Sequence, residues 1–182
     1  MSLHDVARES ALLSDCKTLE TLFTLTCAHG EDAAAIYLED GVEKKITFDE
    51  YRAMADDYAA YLADGLEPGG YVAISMDTCK EWFPTFWGVI RSGHDALLID
   101  AALSDEMVRY LLKQAECKAM ITARRRALDA EIRQIDAAGL FAAPKAVDFE
   151  PTYGDGVALC TSGTTGTSRI FVYNGEATYI VG

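Results

Sequence analysis

A chain of 182 residues, half of them apolar and a quarter charged, is long enough to form one globular domain with a substantial core. Its formal net charge of -13 excludes a partner held by bulk electrostatic attraction, because nucleic acid or an anionic membrane surface would be repelled. The N-terminal residues contain no apolar signal segment, and no stretch approaches the roughly 18 apolar residues of a membrane span, so we predict a cytoplasmic protein without a transmembrane segment.

The first predicted elements are a helix and a hairpin. Apolar residues at helical spacing predict an amphipathic helix over about residues 15–29, with Ser14 and Asp15 available as caps. The segment AAIYL, followed by Asp40-Gly41 and then by KKITF, predicts a β-hairpin, because this pair supplies the positive φ angles of a tight turn.

A capping box predicts the start of the next helix. Thr47 and Glu50 have the spacing of this motif, and apolar residues then keep to one helical face until Gly65 ends the pattern. The turn Pro68-Gly69-Gly70 leads into the first strand of the next segment.

From residue 71 onwards, short apolar strands alternate with helices. The predicted order is the strand YVAISM, a helix opened by a capping box from Thr78 to Glu81, the strand ALLIDA, a helix from Ser104 to about Cys117, the strand AMITA, a charged helix around 125–138, and the strands KAVDF and GVALC. Strands separated by helices of about a dozen residues predict parallel strands joined by right-handed crossovers. The predicted fold class is therefore α/β, with a mainly parallel sheet flanked by helices and a β-hairpin near the N-terminus.

The loop TSGTTG, residues 161–166, follows the last of these strands and combines four hydroxyls with two glycines. Such a turn can direct several N–H groups and hydroxyls at one anion, and glycine lets the backbone approach a ligand closely. Arg169 adds a fixed cation whose planar fork suits phosphate oxygens. The TSGTTG loop is not a Walker loop, because Ser168 occupies the place of the second glycine of that pattern and no lysine follows it. Since open α/β sheets bind ligands at the carboxyl ends of their strands, we predict a phosphate site here.

This loop and the segments before it resemble the AMP-forming adenylating enzymes, a family that includes acyl-CoA synthetases, coumarate-CoA ligases, firefly luciferase and peptide-synthetase adenylation domains. TSGTTG followed by two small residues and a basic one is similar to that family's phosphate-binding loop. The family's opening section is resembled by the segment KKITFDEYRAMADDYAAYLADGLEPGGYVAISM of this chain. The family's next section is resembled by the segment CKEWFPTFWGVIRSGHDALLIDAALSDEMVRYLLKQAECKAMIT. The likeness is colinear and covers nearly the whole chain from about Thr18.

The resemblance implies the reaction and site residues of that family. Its enzymes join a carboxylate to ATP, release pyrophosphate and leave an acyl adenylate, from which a thiol, usually that of CoA, displaces AMP. Arg169 stands where the family commonly has lysine, as the catalytic cation, and Mg2+ would share the charge of the leaving group. The residues that would wrap the β- and γ-phosphates are Thr161, Ser162, Gly163, Thr164, Thr165 and Gly166. The implied partners are ATP, CoA and a small-molecule carboxylate.

The sequence departs from the family pattern after the loop. Ser168 replaces a proline, Ile170 replaces a glycine, and Asn174-Gly175 stands where Thr-His is expected. Everything that the family uses after this loop would lie beyond Gly182, including the metal-binding acid and the mobile C-terminal domain.

We therefore interpret residues 1–182 as a partial AMP-binding domain, an N-terminal segment that ends just after the phosphate loop at 161–169, with the remainder of the domain and the C-terminal domain absent. An acid-CoA ligase acting on a fatty or other carboxylic acid is favoured over a peptide-synthetase module, because no carrier or condensation segment precedes Met1. By itself the segment is expected to bind nucleotide weakly and to catalyse nothing.

Two alternatives remain open. A truncated, non-catalytic homologue would bind nucleotide or a partner chain without turnover, and a phosphate-binding regulatory domain of other ancestry is disfavoured by the colinear likeness. A half-domain would expose a sheet edge and an apolar face, so the segment is expected to self-associate.

Other conspicuous residues are predicted to be structural. The aromatic cluster of Trp82, Phe83, Phe86 and Trp87 is expected to pack in the core, Arg124-Arg125-Arg126 to begin a solvated helix rather than to grip a CoA phosphate, His94 to lie on the polar surface, and Cys160 to be a small core residue. The cysteines are odd in number, scattered and without a CxxC pair, so we predict reduced, mostly buried thiols and no metal site. They are Cys16, Cys27, Cys79, Cys117 and Cys160.

Overall fold

The computed structural model describes residues 17–161 and 169–174. The helices are α1 (Leu19–Cys27), α2 (Phe48–Gly65), α3 (Trp82–Arg91), α4 (Asp105–Gln114) and α5 (Ala137–Phe141). The strands are β1 (Ala33–Glu39), β2 (Val42–Thr47), β3 (Tyr71–Ser75), β4 (Asp95–Leu98), β5 (Ala119–Thr122), β6 (Arg133–Asp136), β7 (Gly156–Thr161) and β8 (Arg169–Asn174). The predicted α/β class is confirmed.

The strands of the described residues form a separate hairpin and one larger sheet. β1 and β2 are the antiparallel hairpin, and the six-stranded sheet has the order β6-β5-β3-β4-β7-β8. Neighbouring strands from β6 to β7 are parallel, whereas β8 pairs with β7 in the antiparallel sense. The predicted mainly parallel sheet is therefore confirmed, with one antiparallel strand at its edge.

The two faces of the sheet are covered by different helices. Val72 and Ile74 of β3 belong to the core that includes α1, α2 and α3, whereas Ala73 between them belongs to the core that includes α4. This alternation follows from the two-residue period of a strand, which points successive side chains to opposite faces. α3 and α4 consequently lie on opposite faces of the sheet.

Local capping and turn signals predicted the first elements well. The Thr47 backbone N–H donates to Glu50 Oε2 at 2.9 Å, and the Glu50 N–H donates to Thr47 Oγ1 at 3.2 Å, which confirms the capping box of α2. The hairpin turn has φ angles of 54° at Asp40 and 75° at Gly41, as predicted. The prediction of Ser14 and Asp15 as the caps of α1 was wrong. The N-cap is Thr18, whose hydroxyl accepts from the Thr21 N–H at 3.1 Å.

The predicted start of α3 was also wrong. No capping box forms between Thr78 and Glu81, since the helix begins at Trp82 and Glu81 occupies the N-cap position without a side-chain hydrogen bond. Pro84 lies in the first turn of the helix, where a backbone N–H has no helical acceptor and its absence is tolerated.

The predicted charged helix at 125–138 is replaced by an irregular segment, β6 and the start of α5. The Gln134 side chain braces this segment, because its Oε1 accepts from the Arg126 N–H at 2.9 Å and its Nε2 donates to the Arg126 carbonyl at 3.0 Å. Pairing with β5 and burial of Ile135 outweigh the helical pattern of the charged residues. The predicted strand KAVDF, residues 145–149, is irregular as well.

A buried arginine joins α3 to its neighbours. The side chain of Arg91 is 4% exposed, and its Nε donates to Asp56 Oδ1 of α2 at 2.9 Å. Nη2 donates to the same carboxylate oxygen, and Nη1 donates to the Tyr153 hydroxyl. The guanidinium also lies 4.3 Å from the centroid of the Phe23 ring of α1. One side chain thus connects three helices and the segment before β7.

Candidate functional site

The order in which strands are added to the sheet reverses between β3 and β4. These strands are neighbours, but the chain leaves β3 towards α3 on one face and leaves β4 towards α4 on the other. In open α/β sheets such a reversal leaves a crevice outside the carboxyl ends of the two strands, and ligands bind there.

A cavity of about 300 Å³ lies at this reversal. It is lined by the ends of β3 and β4 and by the residues that follow them, namely Ile74, Met76, Asp77, Thr78, Trp82, Leu98, Ile99, Asp100 and Ala101. An apolar lining with a few polar groups is typical of small-molecule sites. Neither Asp77 nor Asp100 was predicted as a site residue. Asp77 directly follows the predicted strand YVAISM, which was a signal that could have identified it, whereas Asp100 lies within the predicted strand ALLIDA. We call this cavity the crevice.

The two ends of the predicted phosphate loop meet at the same edge of the sheet. β7 is parallel to β4 and adjacent to it, so β7 also ends at the carboxyl edge. Thr161, its last residue, is the register partner of Arg169, the first residue of β8. The structure therefore brings the backbones of these two predicted site residues together. The other predicted loop residues lie outside the described residues: Ser162, Gly163, Thr164, Thr165 and Gly166.

Contacts at the opposite end of β7 fix the position of that strand. The carboxylate oxygen Oδ1 of Asp95 accepts the N–H of Asp155 at 2.9 Å and that of Gly156 at 2.8 Å. Gly154 lies so close to His94 that an added Cβ would overlap the His94 carbonyl group. Because the start of β7 is held against the start of β4, the end of β7 emerges beside the crevice.

Arg126 is buried, which corrects its prediction as part of a solvated helix start. Arg124 and Arg125 are exposed, but the Arg126 side chain is only 1% exposed and forms an ion pair with Asp105 Oδ1 at 3.1 Å. The segment is not helical, so adjacent residues are free to point in different directions. Burial of the Arg126 side chain had no signal in the sequence, since the hydrogen-bond partners of its guanidinium are more than twenty residues away.

His94 is also buried, although it was predicted to lie on the surface. Its Nε2 lies 2.9 Å from the Glu67 carbonyl oxygen and therefore donates to it, while Nδ1 lies 3.0 Å from Ser92 Oγ. Burial lowers the pKa of His94, so the imidazole is held in its neutral form. It directly precedes β4, at the amino edge of the sheet, and therefore lies on the side opposite the crevice.

The aromatic cluster is mainly part of the core, as predicted, with two exceptions. Trp87 is buried, and its ring centroid lies 4.9 Å from that of Phe23. Phe83 is 59% exposed, and Trp82 lines the crevice.

The described cysteines are free thiols. Cys27 and Cys117 are buried, Cys79 is exposed and Cys160 is half-buried against the core. Burial raises the pKa of Cys27 to about 11 and that of Cys117 to about 12, so neither thiol is a reactive nucleophile near neutral pH. Cys16 lies outside the described residues.

The described part of the chain contains neither a cluster of metal ligands nor a membrane-spanning helix. In residues 17–161 and 169–174, no three His, Cys, Asp or Glu side chains lie together as a metal site would require. No helix of the described ranges has the length and apolar character needed to cross a membrane.

Comparisons with known proteins identify a family and a fold. The AMP-binding enzyme family matches residues 23–169. The N-(5-amino-5-carboxypentanoyl)-L-cysteinyl-D-valine synthase of Penicillium rubens is 30% identical over 106 residues, which are 58% of this chain and 3% of that protein. The long-chain-fatty-acid–CoA ligase of Bacillus subtilis is 28% identical over 107 residues, 58% of this chain and 19% of the ligase. Several further relatives are nonribosomal peptide synthetases.

A solved structure has the same fold. The N-terminal subdomain of NpsA from Klebsiella oxytoca superimposes with a TM-score of 0.74 at 17% identity, covering 87% of this chain and 41% of that one. At this identity the likeness shows the fold alone. In each of these comparisons the chain spans less than half the length of the protein that it matches.

Proposed function

Because this chain belongs to the AMP-binding enzyme family, we propose that it is an N-terminal segment of an adenylate-forming ligase that joins a carboxylate to ATP. In this reaction a carboxylate oxygen attacks the α-phosphorus, the bond from that phosphorus to the bridging oxygen breaks, and pyrophosphate leaves. The attacking carboxylate is already ionised, so no general base is required. The task of this segment is to bind the β- and γ-phosphates and to stabilise the charge that develops on them.

The proposal rests mainly on the place where the structure holds the ends of the TSGTTG loop. Thr161 and Arg169 are register partners at the carboxyl edge of the sheet, beside the crevice. A loop anchored there can present backbone N–H groups and hydroxyls to a phosphate at the point where α/β sheets bind ligands. Arg169, placed where the loop rejoins the sheet, is proposed as the cation that stabilises the leaving pyrophosphate.

We further propose CoA as the thiol acceptor and a fatty or other carboxylic acid as the substrate, supported by the likeness to the Bacillus subtilis ligase. A second candidate is amino-acid adenylation with transfer to a carrier-bound phosphopantetheine thiol, supported by the relatives that are peptide synthetases. The start of the sequence at Met1 does not separate the two, because the chain spans only a small share of either kind of relative.

Carboxylate-dependent ATP–pyrophosphate exchange tests the adenylation step. It should be measured with short, long and aromatic acids and with amino acids, on the 182-residue chain and on the reading frame extended beyond Gly182. Arg169→Ala is the test variant, and Arg52→Ala, which removes an exposed arginine of α2, is its matched control.

We expect no exchange from the 182-residue chain, and exchange from the extended enzyme that Arg169→Ala reduces at least about 100-fold while Arg52→Ala leaves it unchanged. Exchange that survives Arg169→Ala would refute the role of that arginine. If neither chain shows pyrophosphate exchange with any acid, that result would favour the non-catalytic homologue. CoA and a phosphopantetheinylated carrier protein, supplied separately, then identify the thiol acceptor.

Two further proposals concern the chain as a whole. We propose that the isolated segment self-associates through its sheet edge, because β8 is the outer strand of the described sheet and Val172 on it is 58% exposed. We propose the cytoplasm as its compartment, supported by the free thiols of the described cysteines, which suit a reducing environment.

A further inference from the structure

We infer that Arg126 is a positioning residue that fixes the distance between the two walls of the crevice. The first wall is the end of β3 with the residues that follow it, and the second wall is the end of β4 with the turn that follows it. The inference rests on the proposed function, because it concerns the same crevice, and it adds a residue that does not line the cavity.

The guanidinium of Arg126 contacts the structures behind both walls. Nη2 donates to Ser75 Oγ at 3.3 Å, and Ser75 is the last residue of β3, directly before the first wall. Nη2 also donates to the carbonyl oxygen of Ala101 at 2.6 Å, and Ala101 is itself part of the second wall. Nη1 donates to the Leu103 carbonyl at 2.8 Å. One planar group thus connects the end of β3 to the turn that follows β4.

The same arginine is anchored to the start of α4. Its Nη1 lies 3.1 Å from Asp105 Oδ1, and Asp105 Oδ2 accepts the N–H of Ala127 at 3.0 Å. The Ala127 N–H and Arg126 both lower the pKa of Asp105, so this carboxylate stays ionised. The backbone of Arg126 is in turn held on both sides by the Gln134 amide. The guanidinium is therefore fixed at both its base and its tip.

The chemistry of these contacts argues for positioning rather than for stability alone. A buried charge is costly to desolvate, and an apolar side chain of similar volume often stabilises a fold equally well. Here the single carboxylate partner, Asp105, is 37% exposed, and the Arg126 Nε has no hydrogen-bond partner in the part of the chain that the structure describes. What an apolar residue cannot do is donate to Ser75, Ala101 and Leu103 at once. Only the forked arginine head group has the geometry for this.

The consequence concerns the turn at 99–104, which forms the second wall. Ala102 N–H donates to Asp100 Oδ1 at 2.8 Å, so Asp100 is held within the turn. Two carbonyls of this turn, at Ala101 and Leu103, accept from Arg126. Without these hydrogen bonds the turn would keep its backbone bond from the Ile99 N–H to the Ile74 carbonyl of β3, at 3.0 Å, but its residues beyond Ile99 would no longer be held at a fixed distance from β3.

Amide hydrogen exchange, followed residue by residue by NMR, tests this inference on the full chain. Arg126→Met removes every donor of the guanidinium and keeps much of the volume, and Arg126→Lys keeps the charge without the fork. The control is Leu140→Ala, which removes a buried side chain of α5 that does not line the crevice. Trp82 fluorescence in a Trp87→Phe background gives a second signal from the crevice wall.

We expect Arg126→Met to accelerate exchange across residues 99–105 by about tenfold or more relative to the rest of the chain, and to shift the Trp82 emission. Arg126→Lys should give a smaller effect in the same residues, and it replaces the methionine variant if that variant does not fold. Leu140→Ala should raise exchange only at amides whose exchange requires global unfolding. Equal rates at 99–105 in all three variants, or a uniform change in each, would overturn the inference.

The ligand-free measurement keeps this inference separate from the proposed function. Failure of the proposed function would show as an absence of pyrophosphate exchange in the unaltered extended enzyme, whatever the amide exchange shows. Where the extended enzyme is active, Arg126→Lys should raise KM for a substrate by about tenfold with a smaller change in kcat. Leu140→Ala should leave both constants unchanged.

Discussion

Replacing Gly88 by alanine tests how closely α2 and α3 pack. A Cβ added at Gly88 would lie 2.8 Å from the Cβ of Tyr58, 3.4 Å from the backbone nitrogen of Ala59 and 3.5 Å from the Tyr58 carbonyl carbon. The nearest of these atoms belong to the backbone of α2 or are attached directly to it, so a rotation about a side-chain bond cannot remove the overlap. The two helices would have to move apart, although Tyr58 and Ala59 are both buried.

Two opposing terms set the size of the effect. Alanine is favoured over glycine inside a helix by about 1 kcal/mol, whereas forcing an extra carbon into a packed core costs about 1–3 kcal/mol. Because the overlap here involves the helix backbone, the upper part of that range applies, and we expect a net loss of about 1–2 kcal/mol in the free energy of unfolding. With an m-value of about 2 kcal/mol per molar urea, the middle of the usual range, the unfolding midpoint should fall by roughly 0.5–1 M.

Gly139→Ala is the matched control for this measurement. Gly139 is also helical, in α5, and among the described residues, apart from its chain neighbours and its own helix backbone, the atom nearest to an added Cβ is Asp136 Oδ2, at 4.0 Å. Alanine there should therefore raise the free energy of unfolding by about 0.5–1 kcal/mol. Urea unfolding followed by tryptophan fluorescence measures both variants. A Gly88→Ala protein as stable as the Gly139→Ala protein would refute the close packing of α2 against α3.

Three other changes have defined outcomes. Arg91→Met should lower the free energy of unfolding by about 2–4 kcal/mol in a urea titration, because it leaves the Asp56 carboxylate without its buried partner. Burial lowers the pKa of His94, so the imidazole binds a proton more readily in the unfolded chain than in the folded one. The free energy of unfolding should therefore be highest above about pH 6.5 and should fall below that pH by at most about 1.4 kcal/mol per pH unit. His94→Gln should remove this pH dependence. Val172→Lys should reduce self-association in light scattering by blocking the outer edge of β8, whereas Leu38→Lys, which alters an even more exposed apolar residue of the hairpin, should not. Equal scattering from these two lysine variants would contradict self-association through β8.

The candidate site was predictable only in part. The sequence placed the TSGTTG loop after a strand of a parallel sheet, and the structure confirms that β7 ends at Thr161 on the carboxyl edge. The reversal between β3 and β4 was not predictable, because the order of the strands depends on which faces of the sheet the intervening helices cover. The crevice and its two carboxylates, Asp77 and Asp100, follow from that order.

The sequence by itself determined the features whose causes lie within a few residues of chain. The capping box of Thr47 with Glu50 is a contact across three positions, and the turn at Asp40-Gly41 needs only residues that accept positive φ angles. The alternation of apolar strands and helices likewise predicted the α/β class, because strand and helix periods are local properties.

The tertiary structure alone decided the features whose partners are distant in sequence. β6 forms instead of a charged helix because β5 offers it a pairing edge, and Arg126 is buried because Ser75, 51 positions earlier, is among its acceptors. His94 is buried by a hydrogen bond to Glu67, 27 positions away. A charged or polar side chain costs free energy to bury unless such partners are present, and a chain reveals which distant residues will meet only when it folds.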